Sequence, residues 1–185
     1  MKKIFIDLGG NKGQSIQLFL DRYPNPKDFE IHTFEPNSDL WEILEKFPAT
    51  LHKEVAWIYD GEIDFYIAER SVGSTLVKGK RTANVDYENP KKLPCIDIGK
   101  WISQFKDDFV LLKMNIEGAE YEILESMVKD GSIKYVNELC VEFHDSRKIV
   151  GITKENTIKI TKLLKDNGIE PKVWNENHSL FKGKI

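Results

Sequence analysis

The sequence predicts an α/β fold built on an open, mostly parallel sheet. Three observations predict it. An N-terminal strand runs straight into a glycine-rich turn and a helix, a second strand ends on an acidic residue, and a wholly apolar strand ends in a cluster of charged and amide groups.

The first unit is Lys3-Ile-Phe-Ile-Asp-Leu8, followed by Gly9-Gly-Asn-Lys-Gly13 and a helical segment from Gln14 to about Tyr23. Ile16, Phe19 and Leu20 mark the helix's apolar face. Strand, glycine turn and helix form the first unit of a nucleotide-binding α/β fold, where glycines let backbone amides approach a ligand. The spacing is D-x-G-x-x-x-G, and Asn11 stands where a dinucleotide fingerprint has its second glycine, which argues against a pyrophosphate site. Phe29 to Phe34 is the second strand, ending in Glu35-Pro36-Asn37. Glu35 lies about twenty residues beyond Gly13, where an acidic residue reaches ribose hydroxyls and repels a 2′-phosphate. Pro36 stops the strand, and Asn37 or Ser38 caps the next helix. As a strand-end carboxylate with little packing to lose, Glu35 is expected to matter more to the ligand than to stability.

The third observation is Phe109-Val-Leu-Leu112, an apolar run that reads as a buried parallel strand. Lys113, Asn115 and Glu117 follow at alternate positions, so an extended backbone points all three the same way. They sit at the carboxyl end of the strand, where open α/β sheets bind ligands. Gly118 allows a tight turn, and Tyr121, Leu124 and Met127 then take helical spacing, with Glu120 and Glu122 in the first turn as the helix dipole favours. The next strand, Tyr135 to Phe143, runs into His144 and places it beside Asn115 and Glu117. Histidine takes up a proton near neutral pH. His32 and His52 lie inside strands and read as structural, and His178 falls in a turn.

The remaining elements follow in order. Leu40 to Phe47 is a helix with Trp41, Leu44 and Phe47 inward, and Leu51 to Tyr59 is a third strand. Asp60-Gly61 signals a hairpin, with Glu62 to Ala68 as its return strand, in which Ile63, Phe65 and Ile67 alternate with polar residues. From Glu69 to Pro94 periodicity disappears, and a loop of that length in a compact domain is functional or disordered. Its Lys78, Lys80 and Arg81 read as a solvated face, with contact to an acidic or phosphate-bearing acceptor as the alternative. Asp97 to Phe105 is a short helix, and Lys154 to Asn167 a longer one closed by Gly168. Ile169 to Trp174 and Ser179 to Lys182 form a closing pair of strands.

Composition fits one domain over residues 1–185, with 69–94 as a substrate-side insertion. Apolar residues make up 41% and charged residues 31%, which excludes global disorder. A net charge of −3 with no long basic run gives no reason to expect nucleic acid or anionic membrane as a partner. No signal peptide or transmembrane stretch is recognisable. Cys95 and Cys140 make no disulfide framework, so a reducing, cytoplasmic compartment is expected, with a monomer or homodimer as the assembly. The first strand begins almost at the first residue, so no separate N-terminal substrate domain is expected. If the chain is an enzyme, substrate selection then falls to 69–94 and to the strand mouths.

Taken together, Asp7-Leu-Gly-Gly-Asn-Lys-Gly13, Phe34-Glu-Pro-Asn37 and Leu112-Lys-Met-Asn-Ile-Glu-Gly-Ala-Glu120 resemble the FkbM family of S-adenosylmethionine-dependent methyltransferases, from the first strand to about Asp145. The last motif is the specific one. Family members read lysine, apolar, aspartate, apolar, glutamate, glycine there, and this chain carries Asn115 in place of the aspartate. The resemblance implies the class I methyltransferase (Rossmann-like) fold, a three-layer sandwich whose seven-stranded sheet is mostly parallel with an antiparallel last strand. It implies S-adenosyl-L-methionine as cofactor and O-methylation of a hydroxyl on a small molecule or glycan, most often a sugar. Asp7, Gly9, Gly10, Asn11, Gly13 and Ser15 then shape the cofactor loop, with Glu35, Pro36, Asn37, Ala56 and Asn115 as further cofactor contacts. Lys113, Asn115, Glu117 and His144 form the reacting end, His144 being the leading base. Ser74 and Thr75 face the acceptor with Glu117 and His144. No metal ligand is assigned, since Asn115 replaces a carboxylate, and the metal requirement stays open. Two rivals stand beside this reading: an adenosyl-cofactor-binding protein without catalysis, which Asn115 favours, and an NAD-dependent oxidoreductase, which Asn11 and the 113–120 motif disfavour.

Overall fold

A computed structural model describes residues 1–69, 73–146 and 149–174. Its central sheet has five strands in the order β3-β2-β1-β7-β8, all parallel. They are β1 (Lys3–Leu8), β2 (Phe29–Phe34), β3 (Thr50–His52), β7 (Phe109–Met114) and β8 (Glu138–Val141). A second sheet, in the order β4-β6-β5, is built from β4 (Val55–Trp57), β5 (Gly61–Phe65) and β6 (Lys91–Asp97). The helices are α1 (Gln14–Arg22), α2 (Trp41–Leu44), α3 (Ile98–Ile102), α4 (Glu120–Asp130) and α5 (Lys154–Asp166).

The apolar runs of β1 and β7 have the cause expected of central parallel strands: both faces are covered. Alternate residues of each strand go to opposite sides. Phe5 and Leu111 pack with Ile16 and Phe19 of α1 and Leu44 of α2. Ile4, Ile6, Val110 and Leu112 pack on the other side with Ile98 and Ile102 of α3, Ile123, Leu124 and Met127 of α4, and Ile160 and Leu164 of α5. Three layers result. β1 and β7 pair in register from Lys3↔Phe109 to Leu8↔Met114, so the glycine turn and the 113–120 motif leave the sheet side by side.

Several expectations change. The central sheet has five strands among the described residues, not seven, and the edge beyond β8 is a single bridge in which Lys172 meets Cys140 in parallel. Ser179 to Lys182, the expected antiparallel last strand, and His178 lie outside the described residues. The expected third strand is two strands. Thr50–His52 stays beside β2, while Val55–Trp57 crosses to the second sheet after the charged pair Lys53-Glu54. Asp60-Gly61 turns the chain but closes no hairpin, because β6 lies between β4 and β5, parallel to the first and antiparallel to the second. The Asp60 carboxylate instead accepts from the Asp97 amide (3.0 Å) and the Lys100 ammonium (2.7 Å), fastening the end of β6. The segment 91–94, read as loop, belongs to β6. Pro94 argues against a strand, yet it is tolerated because β4 pairs with β6 only from Cys95 onward. The helix expected over Leu40 to Phe47 shortens to α2, after a 3₁₀ turn at Ser38–Leu40 whose start Asn37 caps. Among the described residues no helix is long and apolar enough to cross a membrane.

Candidate active site

A cavity of about 300 Å³ opens where β2, β1 and β7 end. Gly9, Gly10 and Asn11 form one side with Gln14 and Ser15 of α1. Phe34, Glu35 and Pro36 form the β2 end, and Lys113, Asn115, Ile116 and Glu117 the β7 end. Val55 and Ala56 of β4, Phe65 of β5, and Gly73, Ser74 and Leu76 of the following loop close it. The volume and the mix of apolar wall with a few polar groups suit a small-molecule site.

Backbone geometry shapes the glycine turn. Gly9 has φ +85°, and a Cβ there would overlap the Asn115 carbonyl oxygen. The Gly9 and Gly10 amides both donate to the Phe34 carbonyl (3.1 Å each), which draws the turn toward the end of β2. Asn11 takes a left-handed backbone (φ 47°), which asparagine tolerates, and its amide donates to Glu35 Oε2 (2.9 Å). The Asn37 amide donates to Glu35 Oε1 (2.9 Å). Glu35 is therefore buried with both oxygens held by backbone N–H groups, and an ionised carboxylate retains further acceptor capacity. Burial pushes its carboxyl above the usual range, against the pull of the Asn37 and Asn11 amides.

Of the residues expected at the cofactor, Gly9, Gly10, Asn11, Ser15, Glu35, Pro36, Ala56 and Asn115 line the cavity, while Asp7, Gly13 and Asn37 do not. Asp7 is fully buried, 2.8 Å from the Lys113 ammonium. Burial raises its carboxyl, against the charge and hydrogen bond of Lys113. Lys113 also donates to the Gly9 carbonyl (3.2 Å) and so supports the turn from beneath. Gly13 (φ +82°) packs against the Phe47 ring, where a Cβ would overlap it, and begins α1.

At the β7 end Lys113, Asn115 and Glu117 do meet at the cavity, though not by strand alternation. The strand stops at Met114, and Glu117 reaches the cavity through a left-handed backbone (φ 58°) before Gly118. Asn115 donates through Nδ2 to Glu142 Oε2 (2.8 Å). Glu117 is a junction. Its Oε2 accepts from Lys80 Nζ, its Oε1 lies 3.5 Å from His144 Nε2, and its carbonyl accepts from the Thr75 hydroxyl (2.8 Å). Lys80, read from sequence as part of a solvated basic run, is buried and donates also to the Gly73 carbonyl (2.9 Å). Burial would push the Glu117 carboxyl up, but hydrogen bonds and charge from His144 and Lys80 outweigh it and hold it down at about 2.

His144 differs most from its expected place. It is fully buried and does not line the cavity. Glu120, likewise fully buried instead of solvated in a first helical turn, lies 2.6 Å from its Nδ1 and also accepts from its backbone amide (3.1 Å). Burial would lower the imidazolium's pKa, but hydrogen bonds and charge from Glu117 and Glu120 raise it to about 9. At neutral pH the ring is an imidazolium behind Glu117, so it offers no lone pair to an acceptor. Ser74 lines the cavity and its Oγ accepts from the Ala68 amide (3.1 Å). Thr75 is buried behind the wall and ties it to Glu117. Sequence reading missed the walls made by Phe34, Val55, Phe65, Leu76 and Ile116. Phe34 was signalled by its place just before Glu35, whereas Leu76 lies in the aperiodic segment with no signal of its own.

Among the described residues, no group of three or more histidine, cysteine or acidic side chains is placed to hold a metal ion. Neither curated proteins nor solved structures gave a match to the chain. The model of the methyltransferase FkbM domain matches residues 7–170, a span that includes the glycine turn, Glu35 and the 113–120 turn, and the chain belongs to that family.

Proposed function

We propose that this chain transfers a methyl group from S-adenosyl-L-methionine to a hydroxyl oxygen of a small-molecule or glycan acceptor. The observation that carries the reading is Glu35, a buried carboxylate fixed by two backbone amides at the cavity edge, facing a glycine turn too tight for a Cβ at Gly9. Such a carboxylate accepts hydrogen bonds from a ribose diol. Phe34, Val55 and Ala56 supply the apolar wall an adenine ring needs, and the residues present therefore fit the cofactor. Bound there, the cofactor supplies an electrophilic methyl carbon on a sulfonium.

The chain's own contribution is orientation. Lys80 and His144 pair with Glu117 and Glu120, and Lys113 with Asp7, so the charges at and behind the β7 end of the cavity are matched. Glu117, held far below the usual carboxylate range, is a weak base but a fixed hydrogen-bond acceptor. It would accept from the acceptor O–H and hold that oxygen toward the methyl carbon that the cofactor would supply, with the proton released to water at the cavity mouth. Positioning of this kind accounts for much of the rate in a displacement reaction.

The test is thermal. S-adenosylhomocysteine at a hundredfold excess over its dissociation constant should stabilise the fold by roughly 2.7 kcal/mol, while NAD and NADP leave the melting temperature unchanged. Stabilisation by NAD alone would overturn the reading in favour of an oxidoreductase. Cofactor binding with no methyl transfer to any member of a broad hydroxyl-acceptor panel would favour a binding protein without catalysis.

A further inference from the structure

The edge strand β3 ends on His52, which holds two residues of the cavity by different means. Its carbonyl accepts from the Glu35 amide (3.0 Å), and its ring stacks on that of Phe34, 4.3 Å between centroids and 11° between planes. Phe34 and Glu35 both line the cavity. β3 meets β2 at His32↔Thr50, Thr33↔Leu51 and Phe34↔His52. So short a ladder opens easily, and side-chain contacts decide where His52 sits.

Those contacts centre on a second histidine. His52 Nε2 lies 3.0 Å from Nδ1 of the buried His32, whose Nε2 lies 3.2 Å from Glu30 Oε1. Trp101 of α3 packs edge-on against both imidazoles and Phe34, at 5.1 to 5.2 Å between centroids. The bonding chain fixes the tautomers. Lys2, 3.1 Å from Glu30 Oε2, holds that carboxyl below its usual range, so Glu30 accepts and His32 Nε2 carries the proton. A neutral His32 then has its lone pair on Nδ1, and His52 Nε2–H donates to it.

One added proton goes to Nδ1 of His52 and leaves this chain intact. A second goes to His32 Nδ1 and sets two N–H groups face to face between adjacent cations. The contact does not survive that. Glu30 and Glu54 pull against the opening, but Glu30 is already shared with Lys2, and α3 and the turn after it present the rings of Trp101 and Phe105. Burial lowers both imidazoles from the ordinary 6.5 in spite of the two glutamates.

We propose that His52 is a positioning residue for the cofactor end of the cavity, and that its pairing with His32 is an acid-sensitive latch on that end. Opening of the pair lets β3 withdraw from Phe34 and Glu35 and weakens the adenosyl ligand. The ligand's identity rests on the methyl-transfer reading, but the latch is readable without ligand. A base with a lowered folded pKa contributes fully above its ordinary value, so the latch is complete above pH 6.5 and is lost as pH falls below it. His144, raised to about 9, stays charged throughout, and Glu117, held at about 2, stays ionised. Glu35, raised by burial, takes up a proton on the same side and calls for a control. His52→Gln keeps a donor near the place of Nε2 and removes the titrating ring. His32→Gln, whose amide oxygen accepts from His52, is a second such variant.

The experiment measures S-adenosylhomocysteine affinity by calorimetry, and hydrogen-exchange protection of the Glu35 amide in the ligand-free chain, at pH 7.5 and 5.5. Wild type should bind on the order of tenfold more weakly at pH 5.5. Protection of the Glu35 amide should fall with it while that of the β1 amides holds. Both variants should show a smaller ratio between the two pH values in each readout. The proposal is overturned if wild type shows no pH difference, or if a folded variant shows the same difference as wild type. It is also overturned if β1 loses protection in step with Glu35, which is global acid unfolding. Acid loss of Glu35 protection in a wild type that binds no S-adenosylhomocysteine keeps the latch and removes the methyltransferase reading. Binding that is independent of pH removes the latch alone.

Discussion

The imidazole Nδ1 of His144 lies 2.6 Å from Oε1 of Glu120, and both residues are fully buried beneath the turn that carries Glu117. The pair makes His144 a permanent cation of the interior near neutral pH, not a titrating base at the surface of a site. Together with Lys80 it holds the Glu117 carboxyl well below the usual carboxylate range in spite of its burial.

Stability should therefore fall on the alkaline side. His144 has an ordinary value of 6.5 and a folded value raised to about 9. A raised folded pKa contributes stability that is complete below about pH 6.5 and disappears as pH rises through 9. The loss is at most about 3 kcal/mol. Urea unfolding from pH 6 to 10 should show this decline, and His144→Gln should be less stable at pH 6 and flatter across the window. A wild type equally stable at pH 6 and 9.5 would contradict the pairing.

Glu35→Ala should damage both ligand and fold. Sequence reasoning made this carboxylate a strand-end group of small structural weight, but it holds the Asn11 and Asn37 amides. Hydrogen bonds to a charged group contribute roughly 1.5–3 kcal/mol each, less here because burial disfavours the ionised form. A loss of about 2 kcal/mol in urea unfolding is expected, together with loss of the S-adenosylhomocysteine-induced melting shift. Full retention of that shift would take Glu35 out of the cofactor site.

Lys80→Met should cost about 3 kcal/mol, the usual penalty for stripping one partner from a buried ion pair. Arg81→Ala, one residue along and exposed, should stay within about 0.5 kcal/mol of wild type. Equal effects of the two would mean that the basic run is a solvated face after all.

Gly9→Ala should destabilise by at least about 2 kcal/mol, since φ +85° is strained for alanine and its Cβ would meet the Asn115 carbonyl. Gly151→Ala shares a positive φ (+83°) but has open space around it. Its smaller loss of stability, read in the same urea series, isolates the overlap from the backbone strain.

Much of the frame was legible because single rules decided it. The runs 4–6 and 109–112 are apolar without alternation, as doubly covered strands are, and the glycine turn between Leu8 and α1 followed from Gly9, Gly10 and Gly13. Glu35 was found through its separation from that turn. The misreadings share one origin: local signals were overruled by partners distant in sequence. Asp60-Gly61 is a turn, but whether β5 pairs with β4 depends on β6, some thirty residues later, and Pro94 concealed β6. Lys80 looks like its neighbours Lys78 and Arg81, and what distinguishes it is its burial against Glu117 and the Gly73 carbonyl. His144 follows a buried strand as expected, yet no pattern in its own segment announces that Glu120 lies against it.

The second sheet has a bearing on how this protein can diversify. The chain leaves β5 beside the point where it rejoins the sheet at Lys91, since Phe65 and Lys91 are directly opposed. Everything between is an excursion whose ends are already closed by strand pairing, so its length is nearly free: doubling such a loop costs only about 0.6 kcal/mol in closure entropy. Thr75 and Lys80 fasten the excursion to Glu117, and 84–87 fastens it to itself: Val85 bridges Ala68, the Asp86 amide donates to the Ile67 carbonyl, and the Tyr87 hydroxyl accepts from the Lys80 amide. Past those fastenings, the exposed residues 88–90 can be lengthened or exchanged without touching the pairing of β5 with β6, giving variation a place to reshape the rim without rebuilding the scaffold.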